Sequence, residues 1–208
     1  MNKEQRCLGC YQLLDKKNST GEYHAKCSKK LFGTKEPPMV DFGSDKLEEM
    51  AKTFLSQHLG ITGVQPKISV NLEKHPDNPN HRLIIVGLWG AFILKPPTKR
   101  FVDISVIEDV TMHLAEAAGI RTAQHGLVRL KSGELAYLTK RFDRQKKNKK
   151  IAMEDFCQLS ELLTESKYKT SMEKAGKIIC CCSAGRRRPY MTARRPTISI
   201  FPNLCYKR

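Results

Sequence analysis

The sequence predicts an α+β protein with a mostly antiparallel sheet of about five strands and flanking helices. Between residues 67 and 140, β-rich runs are joined by short polar turns, as in consecutive hairpins. Before and among them lie stretches with apolar residues at helical spacing. Ahead of both, cysteines and a histidine have the spacing of a small zinc-ribbon-like segment.

The composition is that of a globular protein, with 208 residues, 40% hydrophobic and 28% charged. No apolar run approaches the roughly 20 residues that span a bilayer, and the polar first residues are no secretory signal. We therefore expect a cytoplasmic protein without a membrane partner. The eight cysteines include one Cys-x-x-Cys and three in a row, which predicts metal binding rather than disulfides.

The net charge of +16 is concentrated near the end of the chain and in one loop. Seven Lys and Arg and no acidic residue follow Ile179, and four lysines lie within residues 146–150. The expected role of this charge is a solvated surface. The alternative is a zinc-ribbon nucleic-acid-binding or regulatory protein that uses the basic tail.

The first motif is Cys7-x-x-Cys10, followed after thirteen residues by His24-x-x-Cys27. This spacing lets two short turns converge on one zinc ion, and thiolates with an imidazole suit zinc. Four protein ligands leave no open position for a catalytic water, so the site would be structural. The alternative is four residues without a common role.

After a linker marked by Pro37-Pro38, Ser44 is placed to cap a helix that ends at Gly60. Its apolar stripe comprises Leu47, Met50, Ala51, Phe54, Leu55 and Leu59. The turn 60–63 leads into a strand at Lys67–Leu72. A glycine turn before a strand either presents backbone N–H groups to a phosphate or is an ordinary turn.

Lys95 ends the apolar run 90–94 and is followed by two prolines, which cannot continue a strand. A lysine at a strand end that faces a cleft needs an anion, and Glu108 is the nearest candidate in sequence. Two alternatives stay open. Lys95 is a strand-end lysine that reaches solvent, or Glu108 closes a Ser105-x-x-Glu108 capping box on its own helix.

The remaining pattern predicts a strand at Arg82–Trp89, a helix that starts at Ser105 and carries Ile107, Val110 and Leu114, and a hairpin of 124–130 with 135–140. Helices are predicted at Ala152–Thr164, with Phe156, Leu159, Leu162 and Leu163 on one face, and at Ser171–Ile179. Residues 180–208 show neither the apolar spacing of a helix nor the alternation of a strand. We expect them to be disordered or translated out of frame, and the alternative is a genuine basic tail.

Five separate motifs follow one another along the chain: Gly63-Val64-Gln65-Pro66-Lys67, Gly90–Pro97, Glu108–Ala115, Lys140–Arg144 and Glu154–Gln158. In these motifs and in their order, the chain resembles the HipA family of serine/threonine kinases over about residues 60–179. The resemblance implies a protein-kinase-like N-lobe at 37–144 and the start of a helical C-lobe at 145–179. Residues 1–36 and 180–208 lie outside it.

The resemblance also implies an ATP site. The turn before Lys67 covers the phosphates, with Thr62 in the place of a serine that is autophosphorylated in relatives, and the segment after the last hairpin meets adenine. The implied ATP-binding residues are Lys95, Thr62, Gly63, Gln65, Lys67, Glu108, Lys140, Arg141, Phe142 and Asp143. Lys140 stands where relatives can have an acidic residue. Read as structure alone, Arg141 and Asp143 form a surface ion pair.

By resemblance, the intact relative uses ATP and magnesium to phosphorylate a protein and is the toxin of a toxin–antitoxin pair. Its catalytic aspartate and magnesium ligands lie beyond the point where this sequence changes character, and no Asn-x-Asp-x-His-like stretch follows Ile179. We therefore expect no catalytic residue in this truncated or frameshifted chain, and no activity. The implied partners are a protein substrate, an antitoxin with a helix-turn-helix domain and a separately encoded N-terminal subunit. DNA contact would be indirect.

Overall fold

A computed structural model describes residues 5–15, 17–56, 67–74, 81–86, 89–98, 101, 103–144, 151, 153–154, 156–163, 171–183 and 205–206. The chain divides into two compact units, one formed by Met1–Leu114 with Ala123–Arg141 and the other by Ala115–Thr122 with Phe142–Arg208. The described residues contain both helices and a large sheet, so the α+β class predicted from the sequence is confirmed.

The first unit holds the sheet and the N-terminal segment. Its strands are β1 (Ser19–Thr20), β2 (Tyr23–His24), β3 (Met39–Val40), β4 (Ile68–Lys74), β5 (His81–Ile85), β6 (Phe92–Lys95), β7 (His125–Arg129) and β8 (Leu135–Lys140). Its helices are α1 (Ala25–Phe32), α2 (Ser44–Ser56) and most of α3 (Ile104–Ala117).

The sheet has six strands in the order β3-β5-β4-β6-β8-β7. The five longer strands pair antiparallel, as the hairpin pattern predicts, and only β3 joins parallel to β5. Strand β3 is two residues long, which is too short for its period to show in the sequence. In β4, Ile68, Ser69 and Val70 are all buried, and Leu94 and Leu138 of the neighbouring strands belong to the same core.

Gly90 precedes β6 where the chain passes very close to β4. A Cβ at this position would lie 2.5 Å from both the Ser69 Oγ and the Val70 carbonyl oxygen. The Gly90 N–H donates to the Ser69 Oγ at 2.9 Å. Only glycine allows this approach, so Gly90 sets where β6 enters the sheet.

The N-terminal segment packs on β7, and α1 within it was not predicted from the sequence. The Tyr23 hydroxyl donates to the Leu127 carbonyl, and the Leu127 N–H donates to the Leu8 carbonyl at 3.1 Å. At Gly126 a Cβ would lie 3.1 Å from the Tyr23 hydroxyl oxygen, so this residue allows the close packing. The Tyr23 ring also meets Phe32 edge-on, at 5.4 Å between centroids.

Helix α3 exposes two of the apolar residues that the sequence pattern placed on it. Ile107 is 62% exposed and Leu114 66% exposed, whereas Ser105, Asp109 and Met112 are buried. Its polar residues find hydrogen-bond partners in the interior, which removes the usual cost of burying them.

The second unit contains β9 (Met153–Glu154), α4 (Phe156–Leu159), α5 (Met172–Ser183) and β10 (Cys205–Tyr206). The single helix predicted over residues 152–164 is wrong. After the single turn of α4, Glu161 adopts φ 58°, and the N–H groups of Glu161 and Leu162 donate back to the Gln158 and Cys157 carbonyls, each at 3.0 Å. This is a Schellman helix end, which stops the helix before Leu162.

Two further features of this unit differ from the elements expected from the sequence. Helix α5 continues to Ser183, beyond the expected end at Ile179. Strand β10 pairs antiparallel with β9, although the tail was expected to lack regular structure. Residues 184–204 lie outside the described part of the chain. Within the described residues, no helix is both long enough and apolar enough to cross a membrane.

Candidate functional site

Lys95 and Glu108 form an ion pair between the last residue of β6 and the second turn of α3. The lysine Nζ donates to the glutamate Oε1, and the two side chains are 18% and 26% exposed. The pair lies at the edge of the core, where attraction between charges is less screened than in bulk water. The structure thus pairs Glu108 with Lys95, one of the alternatives that the sequence left open.

Neighbouring groups hold Lys95 in this place. Tyr137 is its partner in the register with β8, and the Lys95 Nζ lies 5.3 Å from the centre of the tyrosine ring, a cation–π distance. The Ser105 hydroxyl donates to the Lys95 carbonyl at 3.2 Å. Because α3 starts at Ile104, Ser105 lies inside the helix and connects the helix to β6. In a capping box, by contrast, Ser105 would precede the first residue of the helix.

Only some of the predicted ATP-binding residues are described. Thr62, Gly63 and Gln65 lie outside the described residues, while Lys67 directly precedes β4. Lys140 ends β8, and the Arg141 N–H donates to the Ala91 carbonyl at 2.8 Å, which fixes the start of the segment expected to meet adenine.

Phe142 and Asp143 belong to the second unit. Asp143 is 2% exposed and accepts a hydrogen bond from the Arg144 Nη1 at 3.1 Å. The reading of Asp143 as part of a surface ion pair is therefore wrong, because its carboxylate is buried.

The four predicted zinc ligands meet at one point. Each of Cys7, Cys10, His24 and Cys27 offers a ligand atom, and all four atoms lie within 4.8 Å of one another. The first pair sits on a tight turn closed by a bridge of Arg6 with Leu13. His24 ends β2 and Cys27 lies in the first turn of α1.

The surrounding hydrogen bonds suit a tetrahedral zinc ion. The His24 Nε2 lies 3.0 Å from the Leu13 carbonyl, which leaves Nδ1 directed toward the Cys10 Sγ at 3.4 Å. Such a carbonyl contact fixes the tautomer of a zinc-binding imidazole. The backbone N–H groups of Gly9 and His24 both donate to the Cys7 Sγ at 3.4 Å, as they would to a thiolate. Burial and the neighbouring thiols raise the pKa of Cys27 to about 12.

A second polar cluster joins the N-terminal segment to α3 and β7. The Asp109 carboxylate is fully buried, accepts a hydrogen bond from the Tyr11 hydroxyl and lies 2.7 Å from the His125 Nδ1. The Asp109 Oδ2, which accepts the Tyr11 hydrogen bond, also lies 3.4 Å from the Nε2 of His113, one helical turn away. Burial and the adjacent Asp109 carboxylate raise the pKa of Tyr11. We did not predict this cluster, although the Asp109-x-x-x-His113 spacing puts both side chains on one helix face.

Residues 59–199 match the family model described as the HipA-like C-terminal domain. The chain belongs to the HipA-like family. The resemblance inferred from the sequence motifs is thereby confirmed. In this HipA-like chain, Lys95, Glu108 and residues 140–143 lie within the matched region, while the four cysteine and histidine ligands precede it.

Comparisons with individual proteins are more distant. No curated protein sequence matches the chain. Among solved structures, a chain of the Shewanella oneidensis MR-1 toxin–antitoxin complex of HipA, HipB and operator DNA is similar, with 22% identity and a TM-score of 0.40. The match covers 57% of this HipA-like chain and 28% of that chain, so the two share only part of their lengths.

Proposed function

We propose that this HipA-like chain is the ATP-binding part of a serine/threonine protein kinase of the toxin–antitoxin type. The observation that carries the proposal is the ion pair between Lys95 on β6 and Glu108 on α3, within the region that matches the family. A strand lysine held by a helix glutamate is the arrangement by which kinases orient the phosphates of ATP. Kinases share this pairing of a strand lysine with a helix glutamate. An ordinary salt bridge at a protein surface does not require these two residue types on these two elements.

The roles of the chain's own residues follow from their placement. Glu108 holds the Lys95 ammonium in position, and the Tyr137 ring makes a cation–π contact with the same ammonium. In the proposed complex Lys95 contacts the phosphates, Thr62, Gly63, Gln65 and Lys67 cover them, and Lys140, Arg141, Phe142 and Asp143 meet adenine. When bound, Mg²⁺ would neutralise phosphate charge.

Phosphoryl transfer requires an aspartate that orients the substrate hydroxyl and ligands for the metal. The sequence after Ile179 contains no acidic residue. We therefore propose that residues 1–208 bind nucleotide and do not by themselves transfer phosphate. Its proposed partners are an antitoxin with a helix-turn-helix domain, which would make any DNA contact indirect, and a separately encoded N-terminal subunit. In the proposed kinase, the substrate is a protein serine or threonine.

We further propose that Cys7, Cys10, His24 and Cys27 bind one structural zinc ion. The convergence of their ligand atoms within 4.8 Å and the carbonyl contact of His24 support this role. With four protein ligands the ion has no position for substrate, so its contribution is to fold the N-terminal segment.

Nucleotide binding is tested by thermal unfolding of the purified chain with and without Mg²⁺ and ATP. Ligand at about 100 times its dissociation constant stabilises the folded state by about 2.7 kcal/mol, which corresponds to a melting temperature several degrees higher. Lys95→Met should abolish that increase. Lys131→Met, at an exposed lysine of the β7–β8 turn, is the matched control and should keep it.

The proposal fails if ATP leaves the melting temperature of the folded wild-type chain unchanged, or if Lys95→Met responds as the wild type does. Incubation with labelled ATP tests the second half of the proposal. Label that enters the chain or a protein substrate, and is lost in Lys95→Met, would contradict the absence of phosphoryl transfer.

A further inference from the structure

The cluster around Asp109 brings together three side chains that could each bind a metal ion. Asp109, His113 and His125 each offer a ligand atom, and these atoms lie within 4.8 Å of one another. Asp109 and His113 are four residues apart on α3, so both point to the same side of the helix. His125 begins the neighbouring strand β7 and closes the cluster from the sheet.

The buried carboxylate at the centre can be compensated in two ways. Asp109 is 0% exposed, and removing a carboxylate from water costs several kcal/mol unless it is paired. Direct contacts, with the His125 Nδ1 2.7 Å from Oδ1 and the His113 Nε2 3.4 Å from Oδ2, are one form of compensation. A metal ion is the other form and uses both imidazoles, whose rings meet edge-on at 4.6 Å between centroids.

From this geometry we propose a second metal site in the chain, at Asp109, His113 and His125, for a divalent first-row transition ion such as Zn²⁺ or Co²⁺. Two imidazoles and one carboxylate form a ligand set that favours these ions over Mg²⁺ or Ca²⁺, which prefer all-oxygen sites. The ion would lie between the Asp109 carboxylate and the two imidazoles.

The surroundings provide both support and access. The Tyr11 hydroxyl donates to the Asp109 Oδ2 and fixes the orientation of the carboxylate. The His125 side chain is 2% exposed and that of His113 is 25% exposed, so the second imidazole lies nearer the surface. Three protein ligands leave a position for water or a small anion, unlike the four-ligand site of the N-terminal segment.

The test compares metal content between the untagged wild-type chain and His113→Gln. Each protein is stripped with chelator, reloaded with Zn²⁺, desalted and analysed for zinc per chain. His113→Gln should bind one equivalent less than the wild type. His81→Gln is the matched control, because it removes a histidine of β5 outside both clusters, and it should bind as much as the wild type.

Cobalt distinguishes the two sites without relying on any variant. Co²⁺ bound to the cysteine site shows strong thiolate charge-transfer absorption, whereas Co²⁺ at the second site has only nitrogen and oxygen ligands and lacks it. Titration should therefore show one equivalent with this absorption and one without. Equal zinc content in wild type and folded His113→Gln would overturn the proposal, as would a cobalt titration in which every bound equivalent carries thiolate absorption.

Discussion

Adjacent acidic residues on α3 have different environments. Glu108 is 26% exposed and binds Lys95, while Asp109 is fully buried among Tyr11, His113 and His125. Successive residues on a helix point about 100° apart, so one acid reaches β6 and the next reaches β7. One short segment of α3 therefore carries both the proposed nucleotide contact and the proposed second metal site.

A prediction at the residue scale concerns Gly90. Gly90→Ala places a Cβ 2.5 Å from the Val70 carbonyl oxygen, which is backbone and cannot move aside alone. We expect a loss of about 1–3 kcal/mol in the free energy of unfolding, from shifts of β4 and β6. Urea denaturation followed by circular dichroism measures it.

Gly176→Ala is the matched control for that substitution. Gly176 lies inside α5, where an added Cβ would meet nothing within 4 Å beyond the backbone of its own helix. Alanine should stabilise this helix by about 0.5–1 kcal/mol relative to glycine. If Gly90→Ala is as stable as the wild type, the close approach of β6 to β4 is not a feature of the folded chain.

Among the elements, the β1–β2 hairpin depends on β7 for its position. The Tyr23 ring is buried against Gly126, and its hydroxyl donates to the Leu127 carbonyl. Burial is the main cause that raises the pKa of Tyr23 well above its usual value. The hairpin is too small to be stable by itself, so these contacts hold the segment that carries His24.

Tyr23→Phe tests that contact. It removes the donor and leaves a buried carbonyl without its partner, which should cost about 1–3 kcal/mol of unfolding free energy. Thr111→Val removes a hydroxyl from an exposed position of α3 and should change stability by less than about 0.5 kcal/mol. Equal urea midpoints for Tyr23→Phe and Thr111→Val would show that the hydroxyl of Tyr23 contributes nothing to docking.

For the whole molecule, a prediction concerns the proposed zinc ion at the cysteine site. Residues 5–32 are a short segment that carries all four proposed ligands, so a bound ion would contribute much of the folding free energy of this segment. At about 1,000 times the dissociation constant, bound Zn²⁺ stabilises the folded state by about 4 kcal/mol. Chelation should then lower the melting temperature by roughly 10 °C.

Two cysteine variants separate this effect from general thiol chemistry. Cys10→Ser should melt below the metal-loaded wild type and should lose the part of the chelator response that comes from the cysteine site. Cys180→Ser changes an exposed cysteine of α5 and should retain the full chelator response. A wild-type melting temperature that chelator leaves unchanged would show that the four ligands do not hold a stabilising ion.

The sequence by itself determined the α+β class, the antiparallel strands from β4 to β8 and the family, and it singled out Cys7, Cys10, His24 and Cys27 as residues that converge. These features follow from local information, because alternating strand patterns, turn residues and the spacing of metal ligands can all be read from short segments of the sequence. It also named Lys95 and Glu108 as possible partners, but left their pairing open against a capping box.

Only the tertiary structure decided that pairing, the buried face of α3 and the cluster at Asp109. Asp109 is buried because partners on β7 and in the N-terminal segment satisfy its carboxylate, while Ile107 of the same helix is exposed. The same holds for α4, where backbone hydrogen bonds at Glu161 end a helix that apolar spacing would continue. Burial of a polar group depends on residues distant in sequence, and local periodicity carries no information about them.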